Sequence, residues 1–263
     1  MPIPLTWVDA FTDRPFTGNP AAVCVLEHPQ PPLWMQQVAQ ELQVSETAFV
    51  HPRADGDWNL RWFTPEVEVE LCGHATLATA HALWEHHGVD TTPLVFHTRA
   101  GPLRVTREQG LLQLDLPADP PTPVIVDPGI PPLLGTPPQW FGCWRNGYLA
   151  VVETAEKVRA LQPSMSALLA LDADGLLVTA PADRSEFDCI SRFFAPKLGI
   201  AEDPVTGAAH CALAPFWGQR LGRERLRGHQ ASLRGGVVEM LWQGDRVQLS
   251  GAARTALTGE LHV

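Results

Sequence analysis

Lysine is almost missing from this 263-residue chain: only Lys157 and Lys197 occur, and the rest of the 19 basic side chains are arginine. No run of Lys or Arg appears anywhere, and 29 acidic side chains set the net charge at −10. A surface for nucleic acid or for an anionic membrane is therefore excluded as the main role, and a small neutral or anionic metabolite is the partner class left open. No apolar stretch approaches the ~18 consecutive residues of a membrane helix, and residues 1–16 have no basic region followed by an apolar run. The expectation is a cytoplasmic protein with no membrane partner. The five cysteines (Cys24, Cys72, Cys143, Cys189, Cys211) are odd in number and never spaced CxxC, which points to reduced thiols and away from a disulfide framework or structural zinc. There is no GxGxxG, no Walker loop and no GxSxG, so nucleotide binding and serine-hydrolase chemistry have no support.

What is present is core-forming. Hydrophobic residues make up 45% of the chain, enough for one large or two small domains, and 25 prolines imply many short strands and turns. An internal duplication organises them. Phe63-Thr64-Pro65 leads to Cys72-Gly73-His74-Ala75-Thr76 and a small-residue stretch ending at Trp84. Phe194-Ala195-Pro196 leads in the same way to Thr206-Gly207-Ala208-Ala209-His210 and a stretch ending at Trp217. Gly73 and Gly207 lie 134 residues apart, as do Gly110 and Gly244, each at the centre of two alternating strands (Leu103–Leu116 and Val237–Leu249). Upstream, a strand at 21–26, a helical segment after Pro31-Pro32 and a strand at 47–50 match a strand at 149–152, a helical segment after Pro163 and a strand at 176–179.

These repeats predict two lobes, 1–117 and 124–254, divided by the proline-rich crossing Pro117–Pro121, with 255–263 as a candidate return to the first lobe. Val67, Val69 and Leu71 alternate with Glu66, Glu68 and Glu70, which predicts a strand with one dry and one wet face. From His74 to His87 the apolar residues spread around the helix instead of forming one stripe, so that helix is buried on most sides. The expected fold is α+β: two pseudo-symmetric lobes, each a β-barrel-like sheet around a central helix starting near His74 or Gly207, with both starts facing one cleft.

Free N–H groups at such starts, with the helix dipole, attract an anion. Gly73 and Ala75 in one lobe, and Gly207 and Ala208 in the other, are thus candidate contacts for a substrate carboxylate. The bland alternative is that the glycines only permit tight packing. Comparing the lobes isolates the chemistry. Glu46 faces Gly175 across the duplication, His74 faces Ala208, and Cys72 faces Thr206, whereas Glu202-Asp203 has no clear counterpart. Side chains able to move protons that break the symmetry are candidates for catalysis, which selects Glu46, His74 and Asp203. For Asp203 the competing role is helix capping. His86-His87 beside Gly88 reads as a helix end, and no second cluster completes a metal site with it, so no metal is expected.

The runs Asp9-Ala10-Phe11, Arg14-Pro15-Phe16, Gly18-Asn19-Pro20-Ala21-Ala22-Val23, Ser45-Glu46-Thr47-Ala48-Phe49-Val50, Arg61-Trp62-Phe63-Thr64-Pro65, Cys72-Gly73-His74-Ala75-Thr76, Ser191-Arg192-Phe193-Phe194-Ala195-Pro196 and Glu202-Asp203-Pro204-Val205-Thr206-Gly207 together resemble the PhzF family of phenazine-biosynthesis-like isomerases, over nearly the whole chain and in order. The resemblance implies a fold similar to diaminopimelate epimerase, a homodimer, and no metal or organic cofactor. It further implies Glu46 as proton shuttle, with His74 and Asp203 completing the polar site and the Gly73 and Gly207 regions holding the substrate carboxylate. The reference activity is isomerisation of trans-2,3-dihydro-3-hydroxyanthranilate, in which a proton moves from one ring carbon to another as an enol becomes a ketone. One departure stands out: Ala208 follows Gly207 where relatives often carry Ser. Two alternatives remain at this level. One is a two-thiol racemase or epimerase using Cys72, for which Thr206 is an unsuitable second base; the other is a catalytically silent small-molecule-binding protein.

Overall fold

The computed structural model describes residues 2–263, and the chain divides into two compact units, Met1–Asp115 with Ser250–Val263, and Leu116–Leu249. The elements run in the order β1 (Ile3–Ala10), β2 (Asn19–Val25), α1 (Pro32–Leu42), β3 (Glu46–Pro52), β4 (Trp58–Phe63), β5 (Glu68–Val69), α2 (Gly73–His86), β6 (Leu94–Thr98), β7 (Gly101–Glu108) and β8 (Leu111–Pro117). They continue with β9 (Thr122–Pro123), α3 (Ile130–Leu134), β10 (Trp140–Trp144), β11 (Gly147–Val151), α4 (Ala155–Ala160), α5 (Met165–Leu169), β12 (Leu176–Pro181) and β13 (Cys189–Ala195). The last are β14 (Ile200–Asp203), α6 (Gly207–Leu221), β15 (Arg225–Gln230), β16 (Gly236–Gln243), β17 (Arg246–Gly251) and β18 (Ala253–Leu261).

Each unit repeats one winding. In the first, β1 pairs antiparallel with β2, β2 parallel with β3 across α1, β3 antiparallel with β4, and β4 parallel with β6 across α2. In the second, β10 pairs with β11, β11 parallel with β12, β12 antiparallel with β13, and β13 parallel with β15 across α6. The short helices α4 and α5 stand where the first unit has α1, so this crossover begins before Pro163 as well as after it. The outer partner of β10 is β9, whereas β1 takes β18, which returns from the C-terminal end of the chain. The turn between β7 and β8 is closed by Gln109 and Gly110, both left-handed at φ of 52° and 81°, the pairing a tight hairpin requires.

The register confirms the residue correspondences. Thr47 pairs with Phe63 as Leu176 pairs with Phe194, which sets Glu46 opposite Gly175. Trp62 pairs with Val69 as Phe193 pairs with Asp203, so the counterpart of Asp203 is Val69. The expected strand with dry valines is different in the structure. Only Glu68 and Val69 are paired, because a turn in which the Thr64 hydroxyl accepts from the Glu66 and Val67 amides occupies the preceding residues. Val67 is exposed, whereas the Glu68 side chain is nearly buried, held bidentate by Arg61 and also by Arg99. The second unit has the same fork: Arg192 grips Glu202 through two bonds of 2.7 and 2.8 Å, and both arginines also lie over a phenylalanine ring two residues on, Phe63 or Phe194. A charge masked by such a partner defeats a wet-or-dry reading of alternation.

The two central helices are buried over most of their length and exposed only in their last turn. In α2 every residue from Gly73 to Ala80 is buried, and its neighbours are β1, β2, β3, β7 and β18. Small residues allow strands to close around it: Thr76 and Thr79 turn their hydroxyls back onto the carbonyls of Cys72 and Ala75, so neither hydroxyl is stranded. Pro215 lies inside α6 and removes the N–H that the Cys211 carbonyl would accept. That carbonyl instead takes the Asp119 N–H at 3.0 Å, which ties the proline-rich crossing to the helix. A separate core of α3, α4 and α5 side chains, among them Ile130, Val158 and Leu168, covers β11 and β12.

His210, the counterpart of Thr76, makes the equivalent bond, its Nδ1–H donating to the Thr206 carbonyl at 2.8 Å. Burial, helped by the charge of His229 and opposed by that bond, pushes this imidazole down to about 4. The ring is therefore neutral in the fold and takes up a proton more readily when unfolded. Its stabilising contribution is complete above the ordinary value of 6.5 and is lost as pH falls from there toward about 4, by roughly 2–3 kcal/mol. His210→Asn, which retains a donor for Thr206, is expected to flatten this acid limb in urea unfolding measured between pH 7 and pH 4.5. An unchanged acid slope in the variant would assign the loss to other groups.

Candidate functional site

In the first unit the site is assembled from three element starts. Asn19 opens β2, Glu46 opens β3, and His74 is the second residue of α2 behind its N-cap Cys72. Gly18 sets the position of Asn19: its φ is +74°, and a Cβ there would lie 2.3 Å from the Ala10 carbonyl oxygen, so no other residue fits. The parallel pairing of Ala21 with Glu46 then brings the starts of β2 and β3 together.

His74 is the hub. Its Nε2 lies 3.1 Å from Oε2 of Glu46, with only 4% of the His74 side chain and 12% of the Glu46 side chain exposed. The two atoms touch without forming an aligned hydrogen bond, so each remains unsatisfied within the protein. On the other edge of the ring, Nδ1 is 3.0 Å from the Asn19 amide nitrogen and 3.5 Å from the Cys72 sulfur. Burial opposes the imidazolium, yet the adjoining Cys72 and Glu46 outweigh it and hold His74 well above its ordinary range. With Asn19 donating, Nδ1 accepts; turning the amide presents its oxygen instead, so the same residue serves either protonation state of the ring. Burial, reinforced by the Glu46 carboxylate, pushes the Cys72 thiol up to about 11 and leaves it protonated at neutral pH.

Gly73 and Ala75 are buried in the first turn of α2, where no side chain caps the backbone N–H groups and no acidic residue intervenes. The second unit carries the remaining candidates. Asp203 ends β14 and accepts the Thr206 hydroxyl at 2.6 Å, while Gln230 on β15 receives the Thr206 N–H and donates to the Asp203 carbonyl. This network fixes the start of α6, where Gly207 is buried, Ala208 is half-buried and the helix again has no side-chain cap. Thus Glu46 and His74 are in contact with one another, and Asp203 stands with Gly207 and Ala208. The symmetry break at Glu46 has a steric basis: a Cβ at Gly175 would lie 2.6 Å from the Phe193 ring and 2.8 Å from the Phe194 carbonyl oxygen. A side chain has room at one of the two equivalent positions only.

Two polar partners were not singled out by sequence reasoning. Asn19 lies within a quoted motif but contacts a residue 55 positions away, and Gln230 is 24 positions from Thr206. A lone amide in a strand carries no periodic signal that separates it from any other polar residue.

The family model described as phenazine biosynthesis-like protein matches residues 8–128 and 132–259. The chain belongs to that family. A protein of Halalkalibacterium halodurans named an uncharacterized isomerase is 45% identical over 263 residues, 99% of each chain. The crystal structure of an Enterococcus faecalis phenazine biosynthesis protein of the PhzF family superimposes with a TM-score of 0.95 at 41% identity, covering 100% of both chains. A probable proline racemase from Agrobacterium radiobacter, 13% identical with a TM-score of 0.71 over 99% of this chain and 93% of its own, shares the fold. The mixed α/β architecture with few helices is therefore that of the PhzF and diaminopimelate epimerase-like proteins. No helix among the described residues is long and apolar enough to cross a membrane.

If Asn19 positions the His74 ring, its charge should be felt there. Asn19→Asp is expected to keep His74 in the imidazolium form to higher pH in imidazole ¹⁵N spectra, because a carboxylate stabilises a protonated Nδ1. Spectra indistinguishable from wild type would remove Asn19 from the site.

Proposed function

We propose that this protein is an isomerase that moves a proton between carbons of a small carboxylate-bearing substrate, using its own side chains as acid and base. The observation that carries the reading is the buried Glu46–His74 contact: a carboxylate shielded from water, beside a ring nitrogen that does not satisfy it by an aligned bond. Such a group can take a proton from a C–H and return it at another carbon before water exchanges it. His74, held above its ordinary range, lies against the Glu46 carboxylate and steadies its orientation. The uncapped first turns at Gly73–Ala75 and Gly207–Ala208 offer backbone N–H groups of the kind that bind carboxylates, and Asp203, fixed by Thr206, supplies a polar contact. The relatives named isomerases support the reaction class. The family resemblance makes trans-2,3-dihydro-3-hydroxyanthranilate the reference substrate, and Ala208 marks where substrate contacts differ from relatives bearing a hydroxyl.

A Cys72-based racemase is the weaker reading. A thiol with its pKa at about 11 is a poor base at neutral pH, and its counterpart Thr206 cannot act as a second one.

Incubation with cyclic and acyclic amino and hydroxy acids, including the reference substrate, identifies a substrate by the isomer that appears in ¹H NMR, and in D₂O little deuterium is expected at carbon. On that substrate Glu46→Gln is expected to lose about 10²–10⁴-fold in turnover while affinity stays within a few-fold, since the amide retains volume but carries no transferable proton. Cys72→Ser is expected to cost less. A Glu46→Gln protein turning over within a few-fold of wild type would show that another residue carries the proton.

A further inference from the structure

The Glu46–Cys72–His74 cluster has a second chemical capacity. One donor atom from each residue (carboxylate oxygen, sulfur and imidazole nitrogen) lies within 4.8 Å of the others. The His74 side chain is more than nine-tenths buried, and its Nε2 and the Glu46 Oε2 beside it lack any aligned hydrogen bond. Unsatisfied buried polar atoms are costly, and this donor set is one that zinc selects. We propose that these three residues form a binding site for a thiophilic divalent cation of the zinc class, and that its occupancy disables the site.

The chemistry balances without redox. Cys72 loses its S–H proton and His74 its Nε2–H proton, both to solvent, as the sulfur–metal and nitrogen–metal bonds form; Nδ1 keeps its proton toward Asn19, and Glu46 gives one oxygen. The consequence for turnover rests on the proposed role of Glu46: a carboxylate engaged with a metal cannot carry a proton. The metal site itself does not depend on that role.

A comparison cluster, Asp55, Asp57 and His97, also falls within 4.8 Å, but it contains no thiol and is more exposed. Arg53 already holds Asp55 bidentate, and Asp57 and His97 bond each other at 2.8 Å. This second cluster serves as the internal control.

The test uses the full chain stripped with chelator, titrated with Zn²⁺ by calorimetry and with Co²⁺ by absorption. Expected are one Zn²⁺ per chain and a thiolate-to-cobalt charge-transfer band. Cys72→Ser is expected to abolish the band and weaken Zn²⁺ by at least about tenfold, and His74→Gln and Glu46→Gln to weaken it independently, so the result does not hang on one variant folding. Asp57→Asn should change nothing. Absence of the band in wild type, or Zn²⁺ binding lost in Asp57→Asn and kept in Cys72→Ser, would overturn the proposal. Turnover of Glu46→Gln in chelated buffer tests the isomerase reading separately: zinc binding with an active Glu46→Gln would leave the metal site standing and remove the proton carrier.

Discussion

A helix with no wet face is stable only inside a closed shell, and that constraint governs both units of this protein. In α2 and α6 alanine, glycine and threonine keep the helix thin enough for strands to pack close around it. The crossover connections follow, since a strand leading into a buried helix must emerge on the far side and pair in parallel. Even the exceptional features serve this enclosure. Thr76 and His210 satisfy carbonyls one turn back, and the carbonyl released by Pro215 is taken by Asp119. Each removes a polar group that a dry interior could not tolerate.

Enclosure also creates reactivity. The start of a buried helix presents backbone N–H groups where solvent cannot saturate them, and the same low-dielectric surroundings shift the neighbouring side chains. Burial drives the Cys72 thiol up and His210 down, whereas His74 rises because Cys72 and Glu46 adjoin it. Of three buried groups near equivalent helix starts, two are therefore shifted up and one down. Burial disfavours the charged form of either group, which raises a thiol and lowers an imidazole, and His74 alone departs from this because of its partners.

The duplication separates support from chemistry. The Arg61–Glu68 and Arg192–Glu202 forks, each with its arginine over a phenylalanine, occur in both units and secure equivalent strands. Glu46, His74 and Asp203 occur once, opposite Gly175, Ala208 and Val69. Repeated ion pairs are thus a property of the fold, and unrepeated titratable groups are additions to it. Glu46 and His74, which the proposed proton transfer uses, also belong with Cys72 to the proposed metal site, because shielded and incompletely bonded side chains are what both kinds of chemistry require.

By itself the sequence determined the repeat, the two buried helices and their starting residues, and the positions where symmetry breaks, because these depend on local composition and on residue identity at matched positions. It did not show that Glu68 is buried and Val67 exposed, since a charge is hidden by arginines 7 and 31 residues away that no periodicity announces. Nor did it show that Asn19 meets His74, or that Gln230 organises the start of α6. Those pairings exist only after parallel strands fix their register around a helix, which brings together side chains that are distant in the chain and leaves no room for a side chain at Gly175.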